Sequence, residues 1–359
     1  MSTMRVGLQL VFQNHRRSIP DRQMVAEEVA MAERAEGLGF DEVWPVEHHF
    51  TDYAACPDNT LLLAHLAAKT TQLKLATGAV ILPWNDPVRV AERIVLLDHL
   101  SGGRVVFGMG RGLARREYAG FGIDMEESRA RFDEAAPMIL AALETGFIAG
   151  DGPYYPQART EIRPAPLASF RDRTYCVAMS PDSVLQAARL GARMVVFSNK
   201  PDADMKKSID AYRAEWALHH EGPPPAPRFC DFTVCHADPA RARELATRHI
   251  AGYFLAVAEH YELLGDHFKT SSAYRAYGQD VDALRAAGAE NVAAAYVACQ
   301  TWGTPEAILE RLARRRAVVG DFELNVCLRF AGLSGADAMA SMELFGREVL
   351  PALRAGAVA

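Results

Sequence analysis

The sequence predicts an α/β protein whose fold class is a (β/α)8 TIM barrel with inserted segments. Eight short apolar or β-branched runs alternate with longer segments of helical period along the 359 residues. No stretch has the composition of a domain linker, and no GxGxxG motif follows the first strand. The alternative fold, an open doubly wound sheet, would carry that motif. We therefore predict a single domain over residues 1–359.

The strands and helices are predicted in order along the chain. The strands are placed at 5–12, 41–46, 72–82, 104–110, 174–180, 192–198, 228–236 and 322–330, and helices at 21–38, 57–70, 86–101 and 124–145, with more between the later strands. Asp86 can cap a helix that Pro87 opens. Asp124 and Glu127 have the spacing of a capping box, and Pro137 could kink the helix that follows.

Two segments are longer than a barrel requires. Residues 146–173 suggest an inserted ribbon and loop, and residues 264–290 are polar in part and ambiguous in period. Long loops in compact domains are often lids or binding loops. We predict insertions at about these positions.

Composition excludes several classes of protein. The formal net charge of -6 argues against a basic surface for nucleic acid, and the six scattered cysteines fit no common zinc motif. The apolar stretches are too short to span a bilayer, and the first residues lack the apolar core of a signal peptide. We expect a cytoplasmic protein with free thiols and no membrane or nucleic-acid partner.

The stretch GFDEVWPVEHHF ends in two adjacent histidines behind a glutamate, where the second strand stops. Sites of parallel barrels lie at the carboxyl ends of the strands. Neighbouring residues of an extended segment point opposite ways, so one imidazole should face the pocket. Histidine suits proton transfer near neutral pH. We predict His48 and Glu47 as catalytic residues and His49 as a structural residue.

The alternative hypothesis for the adjacent histidines is that they bind a metal ion. Adjacent histidines rarely chelate one ion together, and the sequence has no HExxH motif and no second cluster with ligand spacing. We predict no metal.

Two further strand ends carry residues suited to an anion. Arg111 follows the glycine-rich end of the fourth strand and offers a planar donor fork for phosphate. Ser180 can cap a helix opened by Pro181 after the fifth strand, where the helix N-terminus favours negative charge. Together they suggest a cofactor that carries a phosphate.

The sequence resembles the bacterial luciferase family of flavin monooxygenases, and the luciferase α subunit in particular. The resemblance covers GFDEVWPVEHHFT, TGAVILPWNDPVRVAERIVLLDHLSGGRVVFGMGRGL, FGIDMEESRARFDE, WGTPEAI and SMELFGREVLPAL. These motifs are long and keep a consistent order nearly from end to end. The resemblance implies a (β/α)8 barrel, in agreement with the strand count.

The resemblance also implies residue roles. Reduced FMN would bind at the barrel mouth and react with oxygen, with His48 as base. Arg111 would hold the flavin phosphate beside Ser180 and Ser183. The Gly78–Ala79 bond would be a cis peptide under the flavin ring.

Three positions depart from the family pattern. Met179 stands where the α subunit has a glutamate near the phosphate, Gly110 where it has a reactive cysteine, and Ser198 where it has a tryptophan in the flavin pocket. By their matching positions, Met179 and Gly110, like Gly78 and Ala79, are predicted to border the cofactor. Light emission and a preference for long-chain aldehydes therefore do not follow.

We predict a two-component monooxygenase that takes reduced FMN from a separate NAD(P)H:flavin reductase and transfers oxygen from O2 to a small apolar substrate. Aldehyde, ketone and polycyclic substrates all stay open. The alternatives are a deazaflavin-dependent hydride-transfer oxidoreductase and a non-catalytic flavin-binding partner subunit. The leucine-rich helix at 57–70 and the resemblance together predict a homodimer.

Overall fold

Eight parallel strands close into a barrel at the centre of the molecule. The computed structural model describes the backbone of residues 4–356 and their side chains except at position 280, so the ends of the predicted domain, 1–3 and 357–359, lie outside it. Numbering all strands in chain order, the barrel strands are β1 (Val6–Leu10), β2 (Glu42–Pro45), β3 (Lys74–Ala76), β5 (Val105–Gly110), β8 (Thr174–Val177), β9 (Arg193–Phe197), β10 (Arg228–Phe232) and β13 (Glu323–Cys327). Each pairs with the next, and β13 returns to β1, which confirms the predicted fold class.

Helices surround the barrel and cover its strands. They are α1 (Asp21–Leu38), α2 (Asn59–Ala67), α3 (Pro87–Ser101), α4 (Arg115–Gly120), α5 (Ser128–Thr145), α6 (Pro181–Arg189), α7 (Asp202–His219), α8 (Pro239–Leu245), α9 (Ala251–His260), α10 (His267–Thr270), α11 (Arg275–Ala287), α12 (Ala289–Cys299), α13 (Pro305–Val319), α14 (Gly335–Leu344) and α15 (Leu350–Arg354). The strands are buried on both faces, as parallel strands between a core and a helical layer must be; every residue of β1 and β5 is buried.

Two predicted strands are interrupted in the structure. The predicted strand 72–82 ends at Ala76 and resumes as β4 (Val80–Ile81), and the Gly78–Ala79 peptide bond between them is cis. The predicted strand 228–236 leaves the barrel after Phe232, and its continuation β11 (Val234–Cys235) pairs with β12 (Trp302–Gly303) outside it. Apolar runs continue past the barrel in both cases because the residues at the rim are buried too.

The predicted helix starts follow side-chain chemistry. The Asp86 carboxylate accepts a hydrogen bond from the Arg89 amide at 3.0 Å, and Pro87 opens α3 as predicted. Asp124 instead caps a short 3-10 turn by accepting from the Glu126 amide, so α5 begins later than predicted, at Ser128. The helix continues through Pro137.

The two long segments have different structures. Residues 146–173 contain an antiparallel pair, β6 (Phe147–Gly150) and β7 (Gln157–Glu161), followed by a loop. Residues 264–290 form α10, α11 and the start of α12. Their buried side chains Phe268, Tyr274 and Val281 make a small apolar cluster of their own. This cluster packs against Leu113, which follows β5, so the segment lies over the barrel mouth.

A buried ion cluster fills the amino-terminal end of the barrel. Arg228, which is 0% exposed, lies 2.8 Å from Glu42 and 2.7 Å from Glu323, and these three residues begin β10, β2 and β13. Tyr175 donates a hydrogen bond to Glu323 at 2.7 Å. Burial lowers the pKa of Arg228, but the charges of Glu42 and Glu323 outweigh it and raise the pKa above its ordinary value. Opposite charges therefore compensate one another at this end.

Candidate active site

The predicted site residues come together in one cavity at the carboxyl end of the barrel. All nine line it: Glu47, His48, Gly78, Ala79, Gly110, Arg111, Met179, Ser180 and Ser183. They follow or end the strands β2, β3, β5 and β8, whose carboxyl ends meet at the same rim. The strand order thus brings together residues that are far apart in the sequence.

His48 is held in a defined orientation by a carboxylate that the sequence analysis did not identify. Its Nδ1 lies 3.0 Å from Oε1 of Glu117, a residue of α4 that is 1% exposed. The same oxygen accepts a hydrogen bond from the His49 amide at 2.7 Å. On the other side of the ring, the Tyr261 hydroxyl lies 3.2 Å from Nε2. With a proton on Nδ1, the Nε2 lone pair is left to accept a proton.

Glu47 lines the cavity, but its oxygens are already engaged. They accept hydrogen bonds from the Ile81 amide at 3.1 Å, the Trp84 indole at 2.7 Å and the Asn85 side chain at 2.9 Å. His49 adds a contact at 3.3 Å. These bonds tie the end of β2 to the residues after β3, which favours a positioning role for Glu47 over a direct one.

His49 packs away from the cavity, in keeping with the expected alternation. Its ring meets Phe121 edge to face at a centroid distance of 4.7 Å and Trp84 at 5.9 Å. Only His48 of the adjacent pair lines the cavity.

A second histidine lies behind His48. His260 is 2% exposed, stacks on Tyr53 at 4.2 Å between centroids, and has its Nδ1 3.1 Å from the Thr51 hydroxyl. Its Nε2 lies 3.7 Å from Oε1 of Glu117, beyond hydrogen-bonding distance. Burial, followed by the charges of His48 and Arg116, lowers the pKa of His260 to about 2. The ring is therefore neutral at ordinary pH.

One ligand atom from each of His48, Glu117 and His260 lies within 4.8 Å of the others, a set that could hold a metal ion by its geometry. This cluster could not be found from the sequence, because its members stand on three separate segments. Within it, Glu117 bonds to His48, and Nε2 of His260 is buried without a hydrogen-bond partner among the described residues.

The other side of the cavity is suited to an anion. Ser180 caps α6, and it forms a reciprocal capping box with Ser183, whose hydroxyl accepts from the Ser180 amide at 2.9 Å. The Arg111 guanidinium lies over the Tyr274 ring at 4.0 Å and donates to the Ala273 carbonyl at 2.7 Å. Helix dipole and guanidinium both favour negative charge here.

Near Arg111, but outside the lining of the cavity, Arg129 carries a second guanidinium that sequence reasoning missed. Its Nη2 is buried and has no hydrogen-bond partner among the described residues. Its own burial, and after that the charge of Arg111, lowers the pKa of Arg129. An anion would relieve both effects. The motif ESRARFDE contains this residue, but the two arginines of the motif cannot be told apart by spacing alone.

Two departures from the family pattern have structural consequences. The Met179 sulfur accepts a hydrogen bond from the Phe197 amide at 3.1 Å, so this side chain adds no charge beside the anion site. Ser198 is 1% exposed and its hydroxyl donates to Asp231, so it does not line the cavity. Phe197 and Asn199 line that wall instead.

Comparison with known proteins places the chain in a family. Residues 4–321 match the family model described as luciferase-like monooxygenase. The chain belongs to the luciferase-like monooxygenase family and is an enzyme of that class.

Curated relatives include luciferase subunits. The alkanal monooxygenase alpha chain of Aliivibrio fischeri is 38% identical over 131 residues, which are 36% of this chain and 37% of that protein. The corresponding alpha chain of the Kryptophanaron alfredi symbiont is 26% identical over 341 residues, 94% of this chain and 95% of that one. The match of higher identity therefore covers well under two thirds of the Aliivibrio fischeri protein, whereas the match of lower identity covers nearly all of the protein from the Kryptophanaron alfredi symbiont.

Solved structures share the fold. The monooxygenase RslO1 from Streptomyces bottropensis has a TM-score of 0.75 and 25% identity, with 97% of this chain and 99% of that one covered. The oxygenating constituent of 3,6-diketocamphane monooxygenase from Pseudomonas putida, in complex with FMN, has a TM-score of 0.75 and 19% identity over 98% and 99% of the chains. An F420-dependent secondary alcohol dehydrogenase has a TM-score of 0.71 and 16% identity over 98% and 100%. FMN and F420 enzymes thus share this architecture.

Proposed function

We propose that this chain is the oxygenating component of a two-component, FMN-dependent monooxygenase. It would bind reduced FMN supplied by a separate NAD(P)H:flavin reductase and transfer one oxygen atom from O2 to a small apolar substrate such as an aldehyde, a ketone or a natural-product intermediate. One observation carries the proposal: a histidine oriented by a buried carboxylate lines the same cavity as a site for a phosphate.

The anion site fits the flavin phosphate. Arg111 and Arg129 supply positive charge, and the N-terminus of α6 supplies Ser180 and Ser183 as hydrogen-bonding groups. Arg129 does not itself line the cavity, so a phosphate oxygen would complete its enclosed Nη2, which has no partner among residues 4–356, after a change of the side-chain rotamer.

The flat part of the cofactor fits the strand ends between the phosphate site and His48. Gly78, Ala79 and Gly110 line the cavity there with little or no side chain. A Cβ atom on Gly110 would come within 3.1 Å of Ile81, so the glycine keeps this wall open. When bound, the reduced flavin supplies the electrons that activate oxygen.

The residues of the protein would transfer one proton at His48 and keep water out of the cavity. Glu117 would hold a proton on Nδ1 of His48, so that Nε2 takes a proton from a bound molecule and later returns it. Tyr261 would orient that nitrogen through its hydroxyl. The segment 264–290 covers the mouth and would keep bulk water from the reacting groups.

The substitution His48→Ala tests this role. Oxygen transfer would be measured with chemically reduced FMN and ¹⁸O₂, as label incorporated into a panel of aldehydes and ring ketones. We expect turnover to fall by roughly 10²–10⁴-fold, the usual contribution of a general base. His49→Asn is the matched control, because His49 does not line the cavity, and it should retain activity within a few-fold. Equal turnover in His48→Ala and the wild type would remove His48 from the mechanism.

A deazaflavin-dependent hydride-transfer reaction is the alternative, since F420 enzymes share the fold. The two are separated by titrating the apoprotein with reduced FMN and with reduced F420 and following oxygen consumption. Oxygen uptake coupled to product with FMN supports the monooxygenase, and substrate reduction with F420 without oxygen uptake supports the alternative.

We further propose a cytoplasmic homodimer formed through α2 and α3. All six cysteines are free and buried, as is usual in a reducing compartment, and among residues 4–356 no helix is both long and apolar enough to cross a membrane. Leu61 on α2 is 73% exposed and Leu100 on α3 is 60% exposed. Light scattering should give twice the chain mass of 39.3 kDa. Leu61→Glu should give monomers, whereas Leu218→Glu, at a site on α7 that is 76% exposed, should leave the dimer intact.

A further inference from the structure

The wall of the cavity that faces the strand ends consists largely of tyrosines. Six of the 11 tyrosines in the chain line the cavity: Tyr53, Tyr253, Tyr261, Tyr274, Tyr277 and Tyr296. Val257 and Leu263 stand between them. Most of these residues come from the helices and connections between residues 251 and 299, where the proposed function uses Tyr261 and the segment 264–290 but gives no role to Tyr253 or Tyr296.

This wall carries no charge. Burial raises the pKa of Tyr53 and of Tyr277 to about 12, and it raises the pKa of Tyr296 well above its ordinary value, so these phenols stay protonated. Of the charged groups that line the cavity, Arg111 lies over Tyr274 and would be taken by the cofactor phosphate, and Glu117 is bonded to His48. Around Tyr253 and Tyr296 the lining therefore offers no cation for a carboxylate and no anion for an amine.

The tyrosine hydroxyls of the wall differ in whether they form hydrogen bonds within the protein. The Tyr53 and Tyr253 hydroxyls bond to each other at 2.7 Å, and the Tyr274 hydroxyl donates to the Gly112 carbonyl at 2.7 Å. The Tyr261 hydroxyl lies 3.2 Å from Nε2 of His48. The hydroxyls of Tyr277 and Tyr296 form no hydrogen bond within residues 4–356, and neither is among the fully enclosed polar atoms, so both are open to the cavity that these residues line.

Tyr296 is held in place by aromatic neighbours. Its ring lies 5.2 Å from that of Phe254 and 6.4 Å from that of Phe232, which in turn stacks on Tyr253 at 3.7 Å. The wall therefore offers fixed aromatic surfaces and a fixed hydroxyl donor. A rigid ring system matches such surfaces at low entropic cost, whereas a flexible alkyl chain must give up many rotamers to do so.

We infer that the tyrosine wall binds a neutral, ring-containing substrate that bears a carbonyl or hydroxyl oxygen, and that Tyr296 donates a hydrogen bond to that oxygen. This inference rests on the proposed function, because it names the substrate class of the same site. It separates ring ketones and phenolic polycycles from long-chain aldehydes and from anionic substrates, all of which the general chemistry of the site would allow.

The inference is tested by calorimetric titration of the FMN-saturated protein with three probes: 2-acetylnaphthalene, decanal and 2-naphthoate. We expect the ring ketone to bind at least tenfold more tightly than either of the others. Tyr296→Phe should weaken binding of 2-acetylnaphthalene by roughly 3- to 10-fold, the range for loss of one neutral hydrogen bond. Tyr155→Phe removes a hydroxyl outside the cavity, one that donates to Pro83, and should leave binding unchanged.

Decanal or 2-naphthoate binding as tightly as the ring ketone would overturn the substrate class. Unchanged binding of the ring ketone to Tyr296→Phe would overturn the role of Tyr296. A separate titration of the apoprotein with FMN distinguishes these results from failure of the proposed function: absence of FMN binding would refute the latter, whereas normal FMN binding with the wrong probe preference refutes only the present inference.

Discussion

The two ends of the barrel differ in how their buried arginines are neutralised. At the amino-terminal end, Arg228 is fully buried, but Glu42 and Glu323 neutralise it. At the carboxyl end, Arg111 and Arg129 lie close enough for the charge of Arg111 to lower the pKa of Arg129, after the effect of burial, and an Nη2 of Arg129 has no partner among the described residues. The first end pairs buried charges of opposite sign, although Oε1 of Glu42 and Nε of Arg228 also lack hydrogen-bond partners among the described residues, whereas the second end brings two like charges together.

This contrast indicates which residues serve folding and which serve binding. Breaking a compensated cluster leaves a buried charge without its partner and costs stability. Removing a charge that awaits a ligand costs affinity instead. Variants at the amino-terminal end should therefore lose stability, and variants at the carboxyl end should lose affinity.

Arg228→Met should lower the free energy of unfolding by up to about 3–5 kcal/mol, because Glu42 and Glu323 would lose their buried cation and keep only the partly exposed Arg5 and Arg193. Urea denaturation measures this effect. The control is Arg241→Met, since the pair of Arg241 and Glu244 is exposed and screened by solvent, so its loss should leave stability nearly unchanged. Equal stability of the two variants would show that the amino-terminal cluster does not support the fold.

Arg129→Gln should weaken FMN binding by roughly 10- to 100-fold, the cost of a lost hydrogen bond to a charged group. Quenching of flavin fluorescence measures the affinity. Without FMN, the unfolding free energy of Arg129→Gln should lie within about 1 kcal/mol of the wild-type value, because the ion pair that Arg129 forms with Asp133 is long, at 4.0 Å. Arg131→Gln removes a neighbouring arginine that pairs with Glu127, and it should leave FMN affinity unchanged. If Arg129→Gln lost stability but kept its affinity, the two barrel ends would not differ as described.

His260 makes stability depend on pH. Its pKa, lowered by burial and then by His48 and Arg116 to about 2, lies below the ordinary value of 6.5, so below pH 6.5 the unfolded chain binds a proton that the folded chain does not. This histidine alone should therefore lower the unfolding free energy by up to about 1.4 kcal/mol for each pH unit below 6.5.

The measurement compares the wild type with His260→Gln in urea at pH 7.5, 6.5 and 5.5. Glu28 acts in the opposite sense: burial raises its pKa to about 7 despite Arg329, so the folded state gains stability as pH falls from 7 towards 4.5. Both proteins contain Glu28, and the difference between their slopes isolates His260. Parallel slopes would mean that His260 titrates normally in the folded protein.

Alternating apolar runs and helical segments were enough to predict the barrel. The ends of the strands were harder to predict, because buried residues at the barrel rim continue the apolar pattern beyond the ends of β3 and β10. The capping box predicted at Asp124 was wrong for a local reason: the same carboxylate caps a short 3-10 turn that precedes the helix.

The site was predictable where it follows strand ends. Glu47, His48, Arg111 and Ser180 each follow or end a strand, and a parallel barrel brings such positions to one rim. Glu117, Arg129 and His260 stand on helices instead. Their contacts depend on how those helices pack, which one sequence does not reveal.

The contact between Arg111 and the residues 273–274 joins two events that are usually considered separately. The guanidinium that would hold the phosphate also donates to the Ala273 carbonyl and lies over the Tyr274 ring. Thermodynamic reciprocity then applies: whatever factor the docked segment contributes to cofactor affinity, the cofactor must contribute equally to docking. Binding of the nucleotide and docking of this segment would thus be one coupled equilibrium, to which the contacts of Arg111 with Ala273 and Tyr274 both contribute.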